Sequence, residues 1–459
     1  MAESRNALRI AVVGVFAGLM ATLDATVVSV ALRTITRDLG TSLPVAQWVM
    51  TGYLLALAVT LPLSAWLVNR LGLRRTFFIA VGAFAFTSVA AAIAPTIGWL
   101  IATRILQGGA GGLLVPLGQI IVTRVTPDEQ LGRVMGVVGA PASLGPVLGP
   151  VLGSAVLTIA SWQWVFLINL PIAGIALLFG ARRLPTEPAA AGDSEREQLD
   201  VVGLLLLGTG LALGLYLLAT ISRQAAPLPL PVTIGIGAIC VGLLASFGAW
   251  SLHRPRSGPN AALVDLPALT RGPFGPAVLL ALLTRVVADG SLLLVTLFLQ
   301  HSSDIGPLGV GLLLAAQGVG ATVGLQLGGR LNDRRGGRTT GALGATAFAA
   351  TTCLLLLAPN LPTLAVLLLL RGLANSFISL PPIADAYLGL DRTRAPRATT
   401  TLNIAQRLGS PIGTAVFIAL LGTSTAPYTT ALLATAVLGA LLLPLFRLLP
   451  RAECGSTTA

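Results

Sequence analysis

Long, continuous apolar runs dominate this sequence and leave few choices for its fold. An α-helix of about 20 apolar residues crosses the ~30 Å hydrocarbon core of a bilayer. The runs are apolar throughout and do not alternate with polar residues, which argues against membrane-spanning strands. We therefore predict an all-α integral membrane protein whose fourteen transmembrane helices lie near residues 8–32, 45–68, 76–94, 97–121, 131–156, 163–181, 200–221, 229–250, 275–299, 308–331, 340–358, 362–388, 400–422 and 428–447.

The composition argues against a soluble enzyme and against a nucleic-acid-binding protein. Charged residues make up 10% of the 459 positions, whereas soluble domains carry about 25%. The net charge of +12 comes from Arg alone, because the sequence contains no Lys, and most of these Arg residues lie in short loops between the apolar runs. A nucleotide-binding P-loop requires Lys, so no nucleotide site is expected. The three Cys and two His residues show no metal-site spacing, and we expect neither catalysis nor a bound cofactor.

The placement of the Arg residues predicts the orientation of the chain. Loops on the cytoplasmic side of a membrane carry an excess of basic residues. With the N-terminus inside, the predicted outer loops contain only Arg33, Arg37 and Arg223, and the inner loops contain most of the others. Both termini are therefore expected in the cytoplasm, and the chain is expected to be a multi-pass protein of the plasma membrane.

Weak internal matches at nearly constant spacing indicate a duplication. Each match is weak by itself, but four of them occur in the same order in both halves. They are Asp24 with Asp289, residues 65–72 with 329–336, Arg104 with Arg371, and residues 144–149 with 408–413, at offsets of 264 to 267 positions.

The duplication predicts the domain organisation. We expect an N-terminal six-helix bundle at 1–182, cytoplasmic linkers with an inserted two-helix hairpin at 183–273, and a C-terminal six-helix bundle at 274–459. Two parallel repeats of this kind place a binding site between them, near the middle of the membrane.

Four motifs of the N-terminal half resemble those of the major facilitator superfamily, and within it the fourteen-span drug:H+ antiporter group. They lie at residues 23–32, 66–75, 104–108 and 139–150. The resemblance implies the major facilitator fold and a proton-coupled antiporter that exports small amphipathic or cationic compounds, such as drugs and antibiotics, by alternating access. Its partners would be a small-molecule substrate, the lipid bilayer and protons as the coupling ion. We expect a monomer.

Asp24 in span one is the first candidate for the transport chemistry. An ionised carboxylate is costly at membrane depth, so such a residue is rare and usually functional. It can carry the coupling proton or attract a cationic substrate, or it can pair permanently with a base and hold helices together. Arg104 in span four, with Gln107 one turn away, can tune a nearby carboxylate or brace a neighbouring helix. The family resemblance implies proton coupling for Asp24 and assistance to proton movement for Arg104.

Arg285 and Asp289 in span nine are four residues apart and therefore share one face of the helix. One interpretation is a helix that neutralises its own charge before it enters lipid. The other is that Asp289, as the duplicate of Asp24, is a second protonation or cation site that Arg285 tunes. Arg371 and Arg407 are expected nearer the inner side, where they brace helices or reach toward water.

Span five carries a Gly-Pro series that predicts a gating hinge. Gly residues let a neighbouring helix approach closely, and Pro residues remove backbone hydrogen bonds and bend a helix. The resemblance implies that this hinge restricts leak and favours export. Its predicted residues are Gly139, Pro141, Gly145, Pro146, Gly149 and Pro150.

The two equivalent inner loops are predicted to form a cytoplasmic latch between the halves. An Asp in such a loop can cap a helix start and pair with nearby Arg residues when the inner side is closed. Asn69 stands where the family has an Asp, so we expect the first loop to latch more weakly than the second. The predicted latch residues are Asn69, Arg70, Gly72, Arg74, Asp333, Arg334, Gly336 and Arg338.

Two other functions fit the same sequence less well. A proton-coupled transporter of one specific metabolite, lipid or siderophore would use the same machinery and accept a narrow set of compounds. A membrane receptor or scaffold without transport is disfavoured, because intramembrane charges are costly and no soluble signalling domain accompanies them.

Overall fold

The described part of the chain consists of helices joined by short turns and loops. The computed structural model describes residues 2–126, 130–184, 199–223, 229–254, 264, 266–270, 272–302, 307–358, 360–388, 395–421 and 427–450. Within these ranges no strand occurs, and the all-α prediction is confirmed for them. Apolar sequence favours this choice in a bilayer, because a helix satisfies its backbone hydrogen bonds internally.

Sixteen α-helices follow one another in the described ranges, with a short 3-10 helix at Leu266–Thr270. They are α1 (Ala2–Asp38), α2 (Leu43–Ala46), α3 (Trp48–Thr60), α4 (Leu63–Leu71), α5 (Leu73–Ala92), α6 (Ile97–Val125), α7 (Leu131–Ile159), α8 (Trp164–Leu167), α9 (Asn169–Arg183), α10 (Val201–Arg223), α11 (Leu230–His253), α12 (Phe274–Ser302), α13 (Pro307–Leu355), α14 (Leu361–Asp385), α15 (Ala395–Leu421) and α16 (Pro427–Phe446).

Most helices coincide with predicted spans, and the departures have local causes. Span two is divided into α3 and α4, which bend by 55° where Pro62 lacks the amide hydrogen that would continue the helix. Spans ten and eleven are joined in α13, which is kinked at Gly336 (φ 76°, ψ 163°). Ten described helices are long and apolar enough to cross a membrane, or eleven when α3 and α4 count as one span. The count of fourteen crossings therefore stays a prediction.

Apolar side chains form separate cores in the two halves of the chain. Phe77 and Phe84 lie at the centre of the first, and Phe348 and Phe446 at the centre of the second. Met135 of α7 belongs to the second core although it precedes the hairpin. The halves are therefore in direct apolar contact along α7.

Close helix contacts recur in both halves at an offset of 264 positions. A Cβ atom at Gly108 would collide with the carbonyl oxygen of Tyr53, and one at Gly372 would collide with that of Gln317. Small residues at such points let helix backbones approach closely. Two further features recur at the same offset. Gly149 packs closely against Thr26 in the first half, as Gly413 does against Gly290 in the second. Thr96 caps a helix through the amide of Trp99, as Asn360 does through the amide of Thr363.

The helices α10 and α11 pair with each other beside this body. α10 contacts α3 of the first half and α15 of the second, and the Tyr216 ring stacks on Trp48 with 6.3 Å between centroids. Asp200 accepts hydrogen bonds from the amide of Gly203 (2.9 Å) and the indole of Trp250 (3.0 Å). Asp200 thus caps α10 and ties it to α11 at one end.

Candidate functional site

Asp24 lies at the centre of a buried polar cluster in the first half. Its carboxylate accepts hydrogen bonds from Arg104 Nη1 (2.5 Å), Gln107 Nε2 (3.1 Å) and Asn169 Nδ2 (2.8 Å). Gln107 Nε2 also donates to the hydroxyl of Ser88 at 2.7 Å. All five side chains have exposed fractions of 0–1%. The structure thus brings together Asp24, Arg104 and Gln107 and adds Asn169 and Ser88, which the sequence analysis did not single out.

The Arg104 guanidinium contacts both a carboxylate and a neighbouring helix. It pairs with Asp24, and its Nε donates to the carbonyl oxygen of Val49 in α3 at 3.2 Å. Its Cζ lies 4.1 Å from the centroid of the Tyr53 ring and 5.6 Å from that of Phe166. Charge-assisted hydrogen bonds and cation–π contacts both strengthen when water is excluded. Arg104 therefore neutralises a carboxylate and braces α3 at the same time.

Two adjoining cavities lie between the halves. The larger, of about 390 Å³, is lined by residues of α1, α3, α6, α10, α12 and α15. The smaller, of about 110 Å³, is lined by α1, α6, α7 and α12 to α15. The larger volume lies within the range of small-molecule sites, roughly 300–1,000 Å³. The side chains that line both cavities are Thr22, Val115, Arg285 and Gln406.

The charged side chains that line the larger cavity all come from the second half. Arg285 Nη1 lies 3.4 Å from Asp289 Oδ1, and Arg285 Nη2 donates to Gln406 Oε1 at 3.3 Å. Arg285 and Asp289 keep exposed fractions of 25% and 33% in this setting. Arg407 lines the same cavity and is half-buried. Arg407 therefore forms part of the cavity wall, and the bracing or water-reaching role expected for it stays a prediction.

Asp24 belongs to the interior of its own bundle rather than to the cavity wall. Thr22, two residues earlier in α1, lines both cavities, whereas Asp24 lines neither of the two described here. The geometry therefore favours the interpretation in which Asp24 is paired with a base and holds helices together. A role in proton coupling requires the cluster to open, and it stays a prediction.

Asp289 is not the structural duplicate of Asp24, contrary to the sequence interpretation. The contacts that recur at an offset of 264 make Ala288 the residue of the second half that is equivalent to Asp24. One residue turns a side chain by about 100° around a helix. Asp289 accordingly lines the cavity, whereas Asp24 is enclosed within its bundle.

Arg371, which the sequence matched to Arg104, is fully buried, and the recurring offset of 264 places it at the position equivalent to Gln107. Its guanidinium donates to Ser291 Oγ (2.6 Å), Thr352 Oγ1 (3.1 Å) and Gln317 Oε1 (3.2 Å). Across the described ranges no carboxylate forms an ion pair with it. Arg371 therefore joins α12, α13 and α14 through neutral acceptors, in keeping with the bracing role expected for it.

A polar stripe on α15 is the sequence signal that would have located the cavity. Asn403, Gln406, Arg407 and Ser410 recur with helical spacing and all line the larger cavity. Polar residues on one face of a membrane helix mark the side that avoids lipid. Asn403 also donates to Gln119 Oε1 of α6 at 2.6 Å, so this face connects the two halves.

The predicted hinge forms one unbroken helix, α7, from Leu131 to Ile159. Gly145 and Gly149 are buried against α1, where a Cβ at Gly145 would lie 2.8 Å from the Cβ of Thr22. The Thr26 hydroxyl donates to the carbonyl oxygen of Gly145 at 3.0 Å, and Gly139 lines the smaller cavity. The close packing expected of the Gly residues is present, while hinge motion stays a prediction. The side chains that lie outside the described part are those of Pro141, Pro146 and Pro150.

Asp333 connects the second half to the first at the end predicted to be cytoplasmic. Its two oxygens accept hydrogen bonds from the backbone amides of Gly132 (2.9 Å) and Arg133 (3.0 Å). These amides belong to the first turn of α7, where free N–H groups and the helix dipole favour an anion. The backbones also touch, since a Cβ at Gly329 would lie 2.6 Å from the carbonyl oxygen of Gly132. The contact thus uses the backbone amides of a helix start, which is one of the two kinds of contact that the sequence analysis expects of such an Asp.

The two inner loops share a backbone feature and differ in their contacts. Gly72 and Gly336 both have positive φ values, 80° and 76°, which other residues rarely adopt. Arg74 Nη2 donates to the carbonyl oxygen of Ala181 in its own half at 3.1 Å, and Arg70 lies 5.4 Å over the Trp66 ring. The remaining predicted latch residues are half-buried Asn69 and Arg338 and exposed Arg334.

Asp333→Asn is expected to weaken closure at this end of the molecule. A full charge at a helix N-terminus contributes about 0.3–1 kcal/mol, and up to ~2 kcal/mol when partly buried. Access to the smaller cavity should therefore rise several-fold. The measurement is the rate at which a charged maleimide labels a single Cys placed at Ser379, which lines that cavity.

Arg334→Gln is the matched control for this measurement, because Arg334 is exposed in the same loop. With Arg334→Gln, the Cys at position 379 should be labelled at the same rate as in the protein whose loop is unchanged. An unchanged rate for Asp333→Asn would contradict the latch.

The chain also matches a known family over most of its length. The family model described as Major Facilitator Superfamily matches residues 14–254 and 276–456. The chain belongs to the Major Facilitator Superfamily. It is therefore a multi-pass membrane transporter, and the membership that the four motifs predict is confirmed.

The relatives of this facilitator include proteins named for drug resistance. A Multidrug resistance protein B homolog of Mycobacterium tuberculosis is 36% identical over 90% of this chain and 76% of the relative. A Probable actinorhodin transporter of Streptomyces coelicolor is 32% identical over 91% and 74%. A Putative multidrug resistance protein MdtD of Serratia proteamaculans is 29% identical over 89% and 83%. These matches support the drug efflux group that the motifs predict.

Solved structures confirm the major facilitator fold. The human organic anion transporter MFSD10 superposes with a TM-score of 0.66 at 18% identity, covering 96% of this chain and 99% of that protein. The proton:xylose symporter XylE also gives 0.66, at 15% identity, covering 98% and 97%. Similarity at this level of identity shows the fold alone.

Proposed function

We propose that this facilitator is a proton-coupled antiporter that exports small amphipathic compounds from the cytoplasm by alternating access. The cavity between the two halves carries the proposal, because a site there can face either side as the halves rock. Leu54, Leu55 and Leu215 give it an apolar wall, which suits loose, size-tolerant binding. The names of two relatives support drugs and antibiotics as cargo.

The proposed topology has fourteen crossings, with α10 and α11 as the inserted hairpin. The bundles that move are residues 1–182 and 274–459, and the helix contacts that recur at an offset of 264 support this division. Both termini lie in the cytoplasm, as the distribution of Arg favours. The protein acts as a monomer in the plasma membrane.

Protons are the proposed coupling ion, and no other cofactor takes part. A carboxylate takes up a proton from outside and releases it to the cytoplasm while the cargo moves outward. Asp24, tuned by Arg104 and Gln107, and Asp289, tuned by Arg285, are the proposed carriers. One charge that crosses about 100 mV supplies about 2.3 kcal/mol, which supports roughly a fifty-fold gradient of a neutral compound.

A proton gradient is expected to drive uptake into inverted vesicles that contain the purified chain. The compound is chosen from a panel of toxic molecules by survival of cells with and without expression of the chain. Uptake should collapse when a protonophore dissipates the gradient. Uptake that ignores the gradient would contradict proton coupling and leave facilitated diffusion.

The variant Asp24→Asn/Arg104→Gln separates coupling from folding. It replaces Asp24 with an amide of the same shape and Arg104 with a shorter neutral amide, so that neither charge of the buried pair is left without its partner. We expect proton-driven uptake to be lost while counterflow, driven by a gradient of the compound itself, continues. Retained proton-driven uptake would show that Asp24 has only the pairing role.

A further inference from the structure

The larger cavity carries more positive than negative charge. Its charged lining residues are Arg285, Asp289 and Arg407. Arg285 and Asp289 lie within ion-pair distance of each other, at 3.4 Å, so their charges offset. The guanidinium of Arg407 remains, and arginine cannot realistically lose its proton in a protein.

Arg407 has no carboxylate of its own, because Asp289, whose charge acts on it, is paired with Arg285. The described ranges provide no hydrogen bond and no ion pair to the Arg407 guanidinium, although its side chain is half-buried. Buried Arg104 and Arg371, in contrast, each donate hydrogen bonds to side-chain acceptors. A cation removed from bulk water without a partner is costly. The difference marks Arg407 as the group whose partner comes from outside the chain.

Hydrogen-bond donors accompany this charge. Gln406 Nε2 is buried and has no acceptor within the described residues, because the Oε1 atom of the same amide is the one that contacts Arg285. Arg285 lines the cavity beside it. A group that enters this cavity meets the side chains of Arg285, Gln406 and Arg407 in its lining. Anions such as carboxylates and sulfonates accept several such bonds at once.

Much of the remaining lining of the cavity is apolar. Leu54 and Leu55 of α3 and Leu215 of α10 line it, with Tyr216 as the aromatic member among the described lining residues. A ligand that satisfies both parts of the lining has an anionic head and an apolar body. The sequence analysis predicts cationic compounds among the cargo. The positive charge of the cavity lining instead favours anionic compounds.

We propose that the cavity binds amphipathic organic anions, with Arg407 as the principal contact of the anionic group. This inference rests on the proposed export function and specifies its substrate class. Arg285 positions Gln406 and holds Asp289, which leaves Arg407 available to the ligand. The negative charge of Asp289 reduces the net positive charge of the cavity lining. It therefore disfavours a ligand with several negative charges.

Three probes with one apolar body test the inference on the detergent-purified full chain. They are 1-naphthaleneacetate, its neutral amide, and (1-naphthylmethyl)trimethylammonium, with binding measured by equilibrium dialysis. A charged hydrogen bond contributes about 1.5–3 kcal/mol, so the carboxylate should bind about tenfold more tightly than the amide or better. The cation should bind most weakly. Equal binding of acid and amide, tightest binding of the cation, or no carboxylate binding at millimolar concentration would overturn the inference.

Substitutions then assign the contact to Arg407. Arg407→Gln should lose about tenfold or more of the carboxylate affinity and keep the amide affinity, whereas Arg407→Lys should retain part of the preference for the acid. Arg447→Gln removes the same charge at an exposed position and should change nothing. Undiminished carboxylate binding by Arg407→Gln would refute the assignment. Should that variant fail to fold, the selectivity of the unsubstituted chain and of Arg407→Lys decides the question.

The outcome separates this inference from the export function. Proton-driven uptake of cationic compounds without anion binding would leave export standing and remove the anionic substrate class. Carboxylate binding that depends on Arg407, without proton-driven uptake, would support the site and reject the antiport.

Discussion

Asp24→Ala is expected to lower the free energy of unfolding by about 3–5 kcal/mol, because removal of one partner leaves a buried charge uncompensated. Arg104 would keep its charge at an exposed fraction of 1%. Gln107 and Asn169 would also lose the acceptor that their amide groups share. Unfolding in mixed micelles, followed by far-UV circular dichroism across a denaturant series, measures the effect.

Asp289→Ala is the matched control, since it removes the same functional group from the cavity wall. Asp289 is a third exposed and lies 3.4 Å from its partner, so its loss should cost no more than about 1 kcal/mol. Asp24→Asn/Arg104→Gln should recover much of the stability that Asp24→Ala loses. Equal costs for Asp24→Ala and Asp289→Ala would reject the distinction between a paired interior carboxylate and a cavity carboxylate.

Gly108→Ala and Gly372→Ala are each expected to destabilise the fold by about 1–3 kcal/mol through overpacking. The added methyl group would meet the carbonyl oxygen of Tyr53 in one case and of Gln317 in the other. Backbone atoms cannot rotate away, so the helices must separate. The two sites lie in different halves and share no described partner, so their effects should add in the double variant.

Gly82→Ala is the control for these two substitutions. A Cβ at Gly82 in α5 would meet no atom within 4 Å, and Ala is favoured over Gly in a helix by about 0.5–1 kcal/mol. This variant should therefore be neutral or slightly more stable. The measurement is the same unfolding series, and a loss at Gly82 equal to that at Gly108 would show that helix contact is not the cause.

The sequence was sufficient to predict features that depend on composition or on a single rare residue. Continuous apolar runs have one favourable backbone structure in lipid, so the helices were predictable. Asp24 and Arg104 were predictable neighbours because a buried carboxylate and a buried guanidinium each require a partner. Positive φ at Gly72 and Gly336 accompanies two loops that resemble each other at an offset of 264.

Features that depend on the direction of a side chain were not predictable from spacing alone. Asp24 and Asp289 differ by one position from the offset of the repeat, and one position is about 100° of rotation on a helix. Arg407 taken singly predicts a brace or a side chain that reaches toward water, whereas the stripe that it forms with Asn403 and Ser410 indicates a cavity wall. Which face of α15 meets the cavity depends on its packing against α12 and α10, which is a tertiary property.

The position of α10 has a consequence for any cycle in which the halves move apart. Its aromatic contact with α3, Tyr216 on Trp48, and its contact with α15 belong to different bundles. In the proposed alternating-access cycle the two bundles rotate in opposite senses, and α10 cannot move rigidly with both. One of its two contact surfaces would therefore have to change during each turnover.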